Sequence, residues 1–415
     1  MECLVLADHP AASVKLCGIS VLERSLRTLQ ACGFTRALIL VDDDVATSAL
    51  LRGFSPAWTR IAWRLHLRTN GPVTLEDRDV LVLRGDSVFD ARLVRLLCMQ
   101  DAPVAAVDSA PPANLLPLLD SAFMTDRGRF CGIALMSREL VSRGGAELDD
   151  AVRAGVNDGS LGAFDLAQHD WYSAELHREL RPYWFPSPPR ARRQLAERVI
   201  LDAAQKGTLD IPALVHAPIE TFIVSKLCWT RLTPNQLTAF SNVVAWGATV
   251  LFATGRLGLG ITVALIVGVL DGLDGKLARV KLQTSKAGRL EHLFDVLFEN
   301  SWWIAIAYHL HVSGTLPSAY SYLALLVGAE VCNALARTSI VRFFGRSMAE
   351  LAPFDRMFRL ISGRRNIYVW ILALGLIAGS PAKAFQLIAW WEAATAVVHW
   401  ARAGWALSVR QTSVA

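Results

Sequence analysis

The chain has 415 residues, 53% of them hydrophobic and 19% charged, with a formal net charge of +5. That length allows two or three domains. Lys and Arg cluster beside apolar segments rather than among aromatic residues on one patch, which argues against a nucleic-acid binder. The seven cysteines contain no C-x-x-C pair, so neither a disulfide framework nor a zinc site is suggested. The N-terminus lacks a basic segment leading into an apolar run; no cleavable signal peptide is expected, and whatever precedes the first span is expected to stay in the cytoplasm.

From the start, short apolar runs alternate with amphipathic stretches. Cys3 to Ala7 reads as a strand and Val21 to Cys32 as a helix with Leu22, Leu26 and Leu29 on one face. Ala37 to Val41, Ile61 to Leu67, Val80 to Arg84, Val104 to Val107 and Gly132 to Met136 read as further strands, and Ala91 to Cys98 as a helix. Such alternation predicts a mostly parallel sheet covered by helices on both faces, with ligands outside the carboxyl ends of its strands. One strand ends in Gly85-Asp86, where a carboxylate could hold a metal over a nucleotide.

The opening LVLADHPAASVKLCGISVLERSLRTL, followed by the later Gly85-Asp86, resembles the sugar-nucleotide nucleotidyltransferases over roughly the first 190 residues. The resemblance carries Lys15 over as a substrate contact and Asp86 as a metal ligand. The family's glycine-rich loop with its arginine is replaced by Asp8-His9-Pro10-Ala11-Ala12-Ser13. Without glycines the backbone cannot wrap closely around a triphosphate. A nucleotidyltransferase-like domain that has lost catalysis is therefore expected.

Arg181 to Arg193 (RPYWFPSPPRARR) breaks any continuous helix and reads as a domain boundary. Helical pattern resumes over Gln194 to Gln205, and Gly207 to Pro218 reads as a second break. Ile219 to Leu232 is expected to be a short helix, either lying in the membrane interface or packed against the soluble domain. Thr233-Pro234 is a helix start, with Thr233 as N-cap. Six segments near the ~20 residues needed to cross a bilayer follow. They are Pro234 to Ala253, Leu259 to Val280, Glu291 to His311, Ser318 to Phe344, Ile367 to Gly379 and Phe385 to Ser408.

Basic residues mark alternate connections: Lys281, Lys286 and Arg289 in one, and Arg346, Arg356, Arg359, Arg364 and Arg365 in another. The positive-inside rule then puts both termini and the N-terminal domain on the cytoplasmic side of an inner or plasma membrane. The expected architecture is an α/β domain over residues 1–190, a linker and interfacial helix over 191–232, and an all-α polytopic membrane domain of about six transmembrane helices over 233–415.

Chemistry concentrates between Val269 and Asn300. Asp271, Asp274 and Ala278 share a helical face, as do Glu291, Asp295 and Glu299 on the next helix. Carboxylates at membrane depth are costly and mark function, and converging ones call for a divalent cation with oxygen ligands. One or two Mg²⁺ or Mn²⁺ ions could neutralise a pyrophosphate and orient a hydroxyl, with one carboxylate left to take its proton. Small residues at Gly272, Gly275 and Ala278 let a helix or flat ligand approach closely.

The run Asp271-x-x-Asp274-Gly275-x-x-Ala278-Arg279, then Glu291-x-x-x-Asp295, resembles the CDP-alcohol phosphotransferase motif D-x-x-D-G-x-x-A-R, seven or eight residues, G-x-x-x-D-x-x-x-D. The first half matches throughout; in the second, Ala287 stands at the glycine position and Glu291 at the third aspartate. The resemblance implies that Asp271, Asp274, Glu291 and Asp295 bind metal, with Asp295 also the general base. It places Gly275, Ala278 and Arg279, with Asp271, against the cytidine diphosphate of the donor. Implied too are release of CMP on attack by an alcohol acceptor, membrane lipid as surroundings, no nucleic acid and a homodimer.

Basic residues Arg337, Arg364 and Arg365 would hold the phosphate of a phosphorylated acceptor, although Arg337 could instead pair with Glu330 or Asp355. The domain order resembles bifunctional inositol-phosphate cytidylyltransferase / di-myo-inositol phosphate phosphate synthases. That leaves a second reading, in which the N-terminal domain makes the donor from CTP. A third is a non-catalytic scaffold or cation transporter.

Overall fold

The computed structural model describes residues 2–414 except 8, 43–46, 49–50, 71–76, 121, 145–147, 208–209 and 284–287. Side chains at 142–144, 148–150, 288–293 and 409–414 also lie outside the described set.

Among the described residues eight strands form the main sheet, seven of them side by side: β1 (Glu2–Leu6), β2 (Arg36–Val41), β3 (Ala62–Leu67), β4 (Asp79–Arg84), β5 (Val104–Asp108), β6 (Gly128–Ser137) and β7 (Gly162–Asp165). Their order is β7-β5-β6-β4-β1-β2-β3, with a short strand, Met124–Thr125, paired to β6. All neighbours run parallel except β6, which is antiparallel to both β4 and β5. The expected mostly parallel sheet is present, and its central strands are the continuous apolar runs that burial on both faces requires. Period-two alternation divides them. Val5 and Leu83 join α1 (Val21–Ala31) and α2 (Ala91–Leu97) in one core. Leu4 and Val82 join Val152 and Val156 in the other. The second face is covered by α3 (Arg138–Gly144) and α4 (Leu148–Asp158).

The proline-rich stretch after β7 includes a strand, Trp184–Pro186, paired antiparallel with Ser87–Phe89. Trp184 and Phe185 are buried in the larger core, and the Trp184 indole donates to Asp108. α5 (Arg193–Ala203) follows. The expected break from Gly207 to Pro218 is shorter than that, because α6 (Ile211–Leu227) runs through Pro218. Asp210 caps it by accepting from the Ala213 amide at 2.8 Å, and Pro212 sits in the first turn. One face of α6 leaves Ile211, Val215, Ile219 and Phe222 exposed, while His216, Glu220 and Val224 are buried on the other.

Among the described residues six long helices make the C-terminal domain: α7 (Pro234–Ala253), α8 (Leu257–Lys281), α9 (Gly288–Val312), α10 (Ala319–Phe344), α11 (Arg365–Ile377) and α12 (Pro381–Val414), with one short helix, Pro353–Phe358, between α10 and α11. A Thr233/Gln236 capping box starts α7. Among the described residues three of these, α7, α8 and α10, are long and apolar enough to cross a membrane. Among the rest, α11 has 13 residues, short of the ~20 a perpendicular span needs. Phe252, Phe298, Trp302, Trp303, Tyr368 and Phe385 fill the centre of the bundle. A second cluster crosses the domain boundary: Leu273, Leu277 and Val280 of α8 belong to the same core as Leu22 and Leu26 of α1.

Candidate active site

The motif sits in the last three turns of α8, and its side chains are held individually. Asp274 is 4% exposed and accepts from the Thr238 hydroxyl of α7 and from the Gly275 amide, both at 2.5 Å. Asp271 accepts from Arg365 Nη2 of α11 at 2.6 Å. Asp295 is half-buried on α9 and interacts electrostatically with Asp271, Asp274 and Arg365. Three predicted carboxylates thus come from two helices to one place, with Arg365 among them. Glu291 lies on α9, but its side chain is outside the described residues, as is Ala287. Glu299, one turn beyond Asp295, faces Arg365, Arg364 and Glu330.

Small residues in α8 admit neighbours that the motif alone does not reveal. A Cβ on Gly272 would lie 2.3 Å from the Glu220 carboxylate, so α6 presses an acidic group against the helix beside Asp271. A Cβ on Gly268 would lie 3.0 Å from the His216 ring. The signal for Glu220 and His216 was a polar residue every fourth position on an otherwise apolar helix. Gly275 is packed by the Arg279 guanidinium, 3.3 Å from where its Cβ would stand. Arg279 Nε donates to the Ala204 carbonyl at 2.7 Å, and the Ala278 carbonyl accepts from the Gln283 amide at 2.8 Å. Lys276, inside the motif, is fully buried and donates to Gln205 at 2.6 Å and to Thr221 at 2.5 Å.

Further along, Arg337, Arg359 and Arg364 interact with one another. Asp355 is taken by Arg402 through two bonds of 2.7 and 2.8 Å, so it is not the partner of Arg337. Glu330 and Glu392 are carboxylates that interact with Arg337. Arg364 stands 3.9 Å from Asp210. Arg359 Nε is buried without a hydrogen-bond partner among the described residues, and burial followed by the charges of Arg364 and Arg337 disfavours its charged form. Grouped cations with an orphaned donor suit an anion. Sequence spacing had left Arg359 among ordinary basic connection residues. Gly363, which precedes the Arg364-Arg365 pair, donates its amide to Thr395 at 2.9 Å and packs on the Glu392 carboxylate.

Of the two predicted N-terminal residues, one is already engaged by a cation and the other lines a cavity. Asp86 is buried, and Arg84 grips both its oxygens at 3.0 Å. Lys15 lines a cavity of about 550 Å³ with Ser13, Val14, Arg193, Gln194, Glu197 and Trp229, none of them at the ends of β1 or β4. The residues replacing the glycine loop form a 3-10 turn, Pro10–Ser13.

Oxygen donors such as Asp271, Asp274 and Asp295 are the type a hard divalent ion takes. Among the described residues no group of three His, Cys, Asp or Glu side chains stands ready to hold one. Arg365, Thr238 and the Gly275 amide already donate to the Asp271 and Asp274 carboxylates. An ion binding Asp271 through the oxygen that Arg365 holds would compete with that guanidinium.

The fold and site define an α/β domain joined to a helical membrane domain, in which carboxylates from two helices face a group of arginines. Residues 231–398 match the family CDP-alcohol phosphatidyltransferase. The C-terminal half is therefore a phosphotransferase domain of that family, and a CDP-linked donor with an alcohol acceptor fits it. The chain is 27% identical over 410 residues to the bifunctional IPC transferase and DIPP synthase of Rubrobacter xylanophilus, covering 91% of this chain and 88% of that protein. It is 25% identical over 211 residues to the protein of the same name from Aquifex aeolicus, covering 50% of this chain and 47% of that one. Among solved structures, the inositol-1-phosphate CTP transferase of T. maritima aligns at 13% identity and a TM-score of 0.34, over 47% of this chain and 95% of that one. HddC from Yersinia pseudotuberculosis aligns at 12% and 0.33, over 48% and 99%.

Proposed function

We propose that the protein transfers the phosphate-linked group of a CDP-activated polyol to a phosphorylated alcohol at the cytoplasmic face of a membrane, releasing CMP. The observation that carries this reading is the adjacency of the Asp271, Asp274 and Asp295 carboxylates to the Arg337, Arg359 and Arg364 group, bridged by Arg365. The acceptor oxygen attacks the phosphorus that bears the donor alcohol. A new P–O bond forms, the anhydride bond to the CMP phosphate breaks, and the hydroxyl proton passes to Asp295. Asp271, Asp274, Glu291 and Asp295 would hold Mg²⁺ or Mn²⁺, most simply two ions, which supply charge neutralisation of the pyrophosphate. Gly275, Ala278 and Arg279 would flank the cytidine diphosphate. The three arginines would hold the acceptor's phosphate.

The choice of a soluble polyol over a lipid donor rests on the name shared by the relatives and on an arginine group suited to a phosphorylated acceptor. The six helices are read as six spans, and the protein as a homodimer. The N-terminal domain is read as a nucleotidyltransferase-like domain that no longer makes the donor. The Arg84 fork on Asp86 supports that.

The test is CMP release from CDP-inositol and from CDP-diacylglycerol across an acceptor panel, with Mg²⁺ or Mn²⁺. Turnover with CDP-inositol and a phosphorylated polyol is expected, and its loss in Asp295→Asn, with the protein still folded. No CMP from either donor would remove the reading. Pyrophosphate release from CTP with a polyol phosphate would restore the bifunctional alternative.

A further inference from the structure

The N-terminal domain and the linker make specific contacts that converge on one element of the membrane domain. The last turn of any helix leaves four carbonyls without intrahelical partners. At the end of α8, the carbonyl of Lys281 accepts from Arg27 Nη1 of α1 at 2.7 Å. Arg27 is 2% exposed, and its other donors are also committed. Nε bonds Thr59 at 3.0 Å and Nη2 bonds Glu23 at 2.6 Å, while Thr59 also donates to the same Glu23 oxygen at 2.9 Å. A buried cation aimed at a helix C-terminus complements the partial negative charge there.

The linker that follows the N-terminal domain adds to the grip along the motif. The Lys281 ammonium ties back to the Thr230 and Leu232 carbonyls at 2.7 and 3.0 Å. Arg279 is tied to Ala204 and Lys276 to Gln205, both at the end of α5. Leu273, Leu277 and Val280 pack in the core that also contains Leu22 and Leu26. After Lys281 the chain turns through Leu282 at φ 51°, a left-handed conformation, so the helix stops at this contact.

We propose that the N-terminal domain is a brace for the transferase site, and that Arg27 is a positioning residue that fixes the axial position of α8 and hence of Asp271 and Asp274. This rests on the transferase reading for its kinetic arm only. Displacing reacting groups by about 1 Å costs on the order of 100-fold in rate. Lysine cannot reproduce three divergent bonds from one planar fork.

The experiment uses the full-length protein in nanodiscs. Arg27→Ala and Arg27→Lys are compared with Leu97→Ala, a core change in α2 chosen to give a similar loss of thermal stability while leaving the Arg27 hydrogen bonds in place. Arg27→Ala is expected to lower kcat for CMP release at least about tenfold, with Leu97→Ala within about twofold of wild type. Millimolar guanidinium is expected to restore much of the loss in Arg27→Ala. Amide exchange of the 276–283 peptide is expected to quicken in Arg27→Ala and not in Leu97→Ala. Unchanged kcat in a folded Arg27→Ala, or an equal loss in Leu97→Ala, would overturn the proposal. If Arg27→Ala does not fold, Arg27→Lys and Thr59→Val, which removes one of the three bonds, carry the same two readouts. If wild type releases no CMP from any donor, the transferase reading fails. The exchange data then decide the brace alone, and unchanged exchange in 276–283 would overturn it.

Discussion

Arg365→Met removes a cation hydrogen-bonded to Asp271 while keeping length and apolar bulk over the Phe298 ring, which the guanidinium covers at 5.1 Å. Charges about 4 Å apart interact by roughly 4 kcal/mol at an effective dielectric constant near 20. The Asp271 side chain is 34% exposed and that of Arg365 11%, so solvent screening reduces the figure. About 2–3 kcal/mol is expected, at the lower edge of what breaking a buried pair costs. For a domain of this size that corresponds to a fall of about 5–10 °C in apparent Tm.

The assay is tryptophan fluorescence of the detergent-solubilised protein on heating, since Trp302 and Trp303 are buried in the bundle centre. Run in EDTA and again in Mg²⁺, it separates two contributions. In the variant an ion no longer competes with Arg365 for Asp271, so Mg²⁺ should stabilise it more than wild type. At a free concentration about 100 times Kd the gain is about 2.7 kcal/mol. A variant within about 1 °C of wild type in EDTA, where at least about 5 °C is expected, would refute the buried-pair argument. Equal Mg²⁺ stabilisation of both would refute competition at Asp271.

Arg359→Met should raise KM for a phosphorylated acceptor by about tenfold or more, the loss of one charge-assisted bond, with KM for the CDP donor unchanged; steady-state CMP release with each substrate varied checks it. Gly363→Ala would put a Cβ 1.8 Å from Glu392 Oε2 and 2.5 Å from the Tyr368 hydroxyl. Overpacking there should cost about 1–3 kcal/mol and displace the Arg364-Arg365 pair, read as lower Tm together with lower kcat. Glu350 joins the two domains by accepting from Tyr172 and pairing with His177, each at 2.7 Å. Burial alone would raise its carboxyl, but bonds from His177, Tyr172 and the Ser347 amide outweigh it and bring the pKa down to about 2. A depressed carboxylate stabilises above its unfolded pKa, so this contribution should be complete at neutral pH and fade below about pH 4.5 towards 2. Glu350→Gln should flatten that part of the Tm–pH curve.

The sequence by itself determined the local and periodic features. Alternating short apolar runs specified the parallel sheet, because strands buried on both faces must be apolar throughout. Helix positions in the C-terminal half followed from apolar length and from caps such as Thr233. The spacing of Asp271, Asp274, Gly275, Ala278 and Arg279 marked the chemistry, since helical register places those side chains on neighbouring faces. Pro218 misled, because a proline reads as a break locally, while burial of His216, Glu220 and Val224 against α8 holds α6 continuous through it.

Only the tertiary structure decided which charges meet. Arg365 lies 94 residues from the Asp271 it binds, Arg402 takes Asp355 across 47, and Arg27 reaches the end of α8 across 254. Ion pairs and caps formed between distant segments leave no periodic trace, because their energy depends on where the packed elements bring side chains. The same reason separates the two halves of the molecule. The motif announces the transferase in sequence, whereas the state of Asp86 and the grip of Arg27 on the motif helix are visible only once the chain is folded.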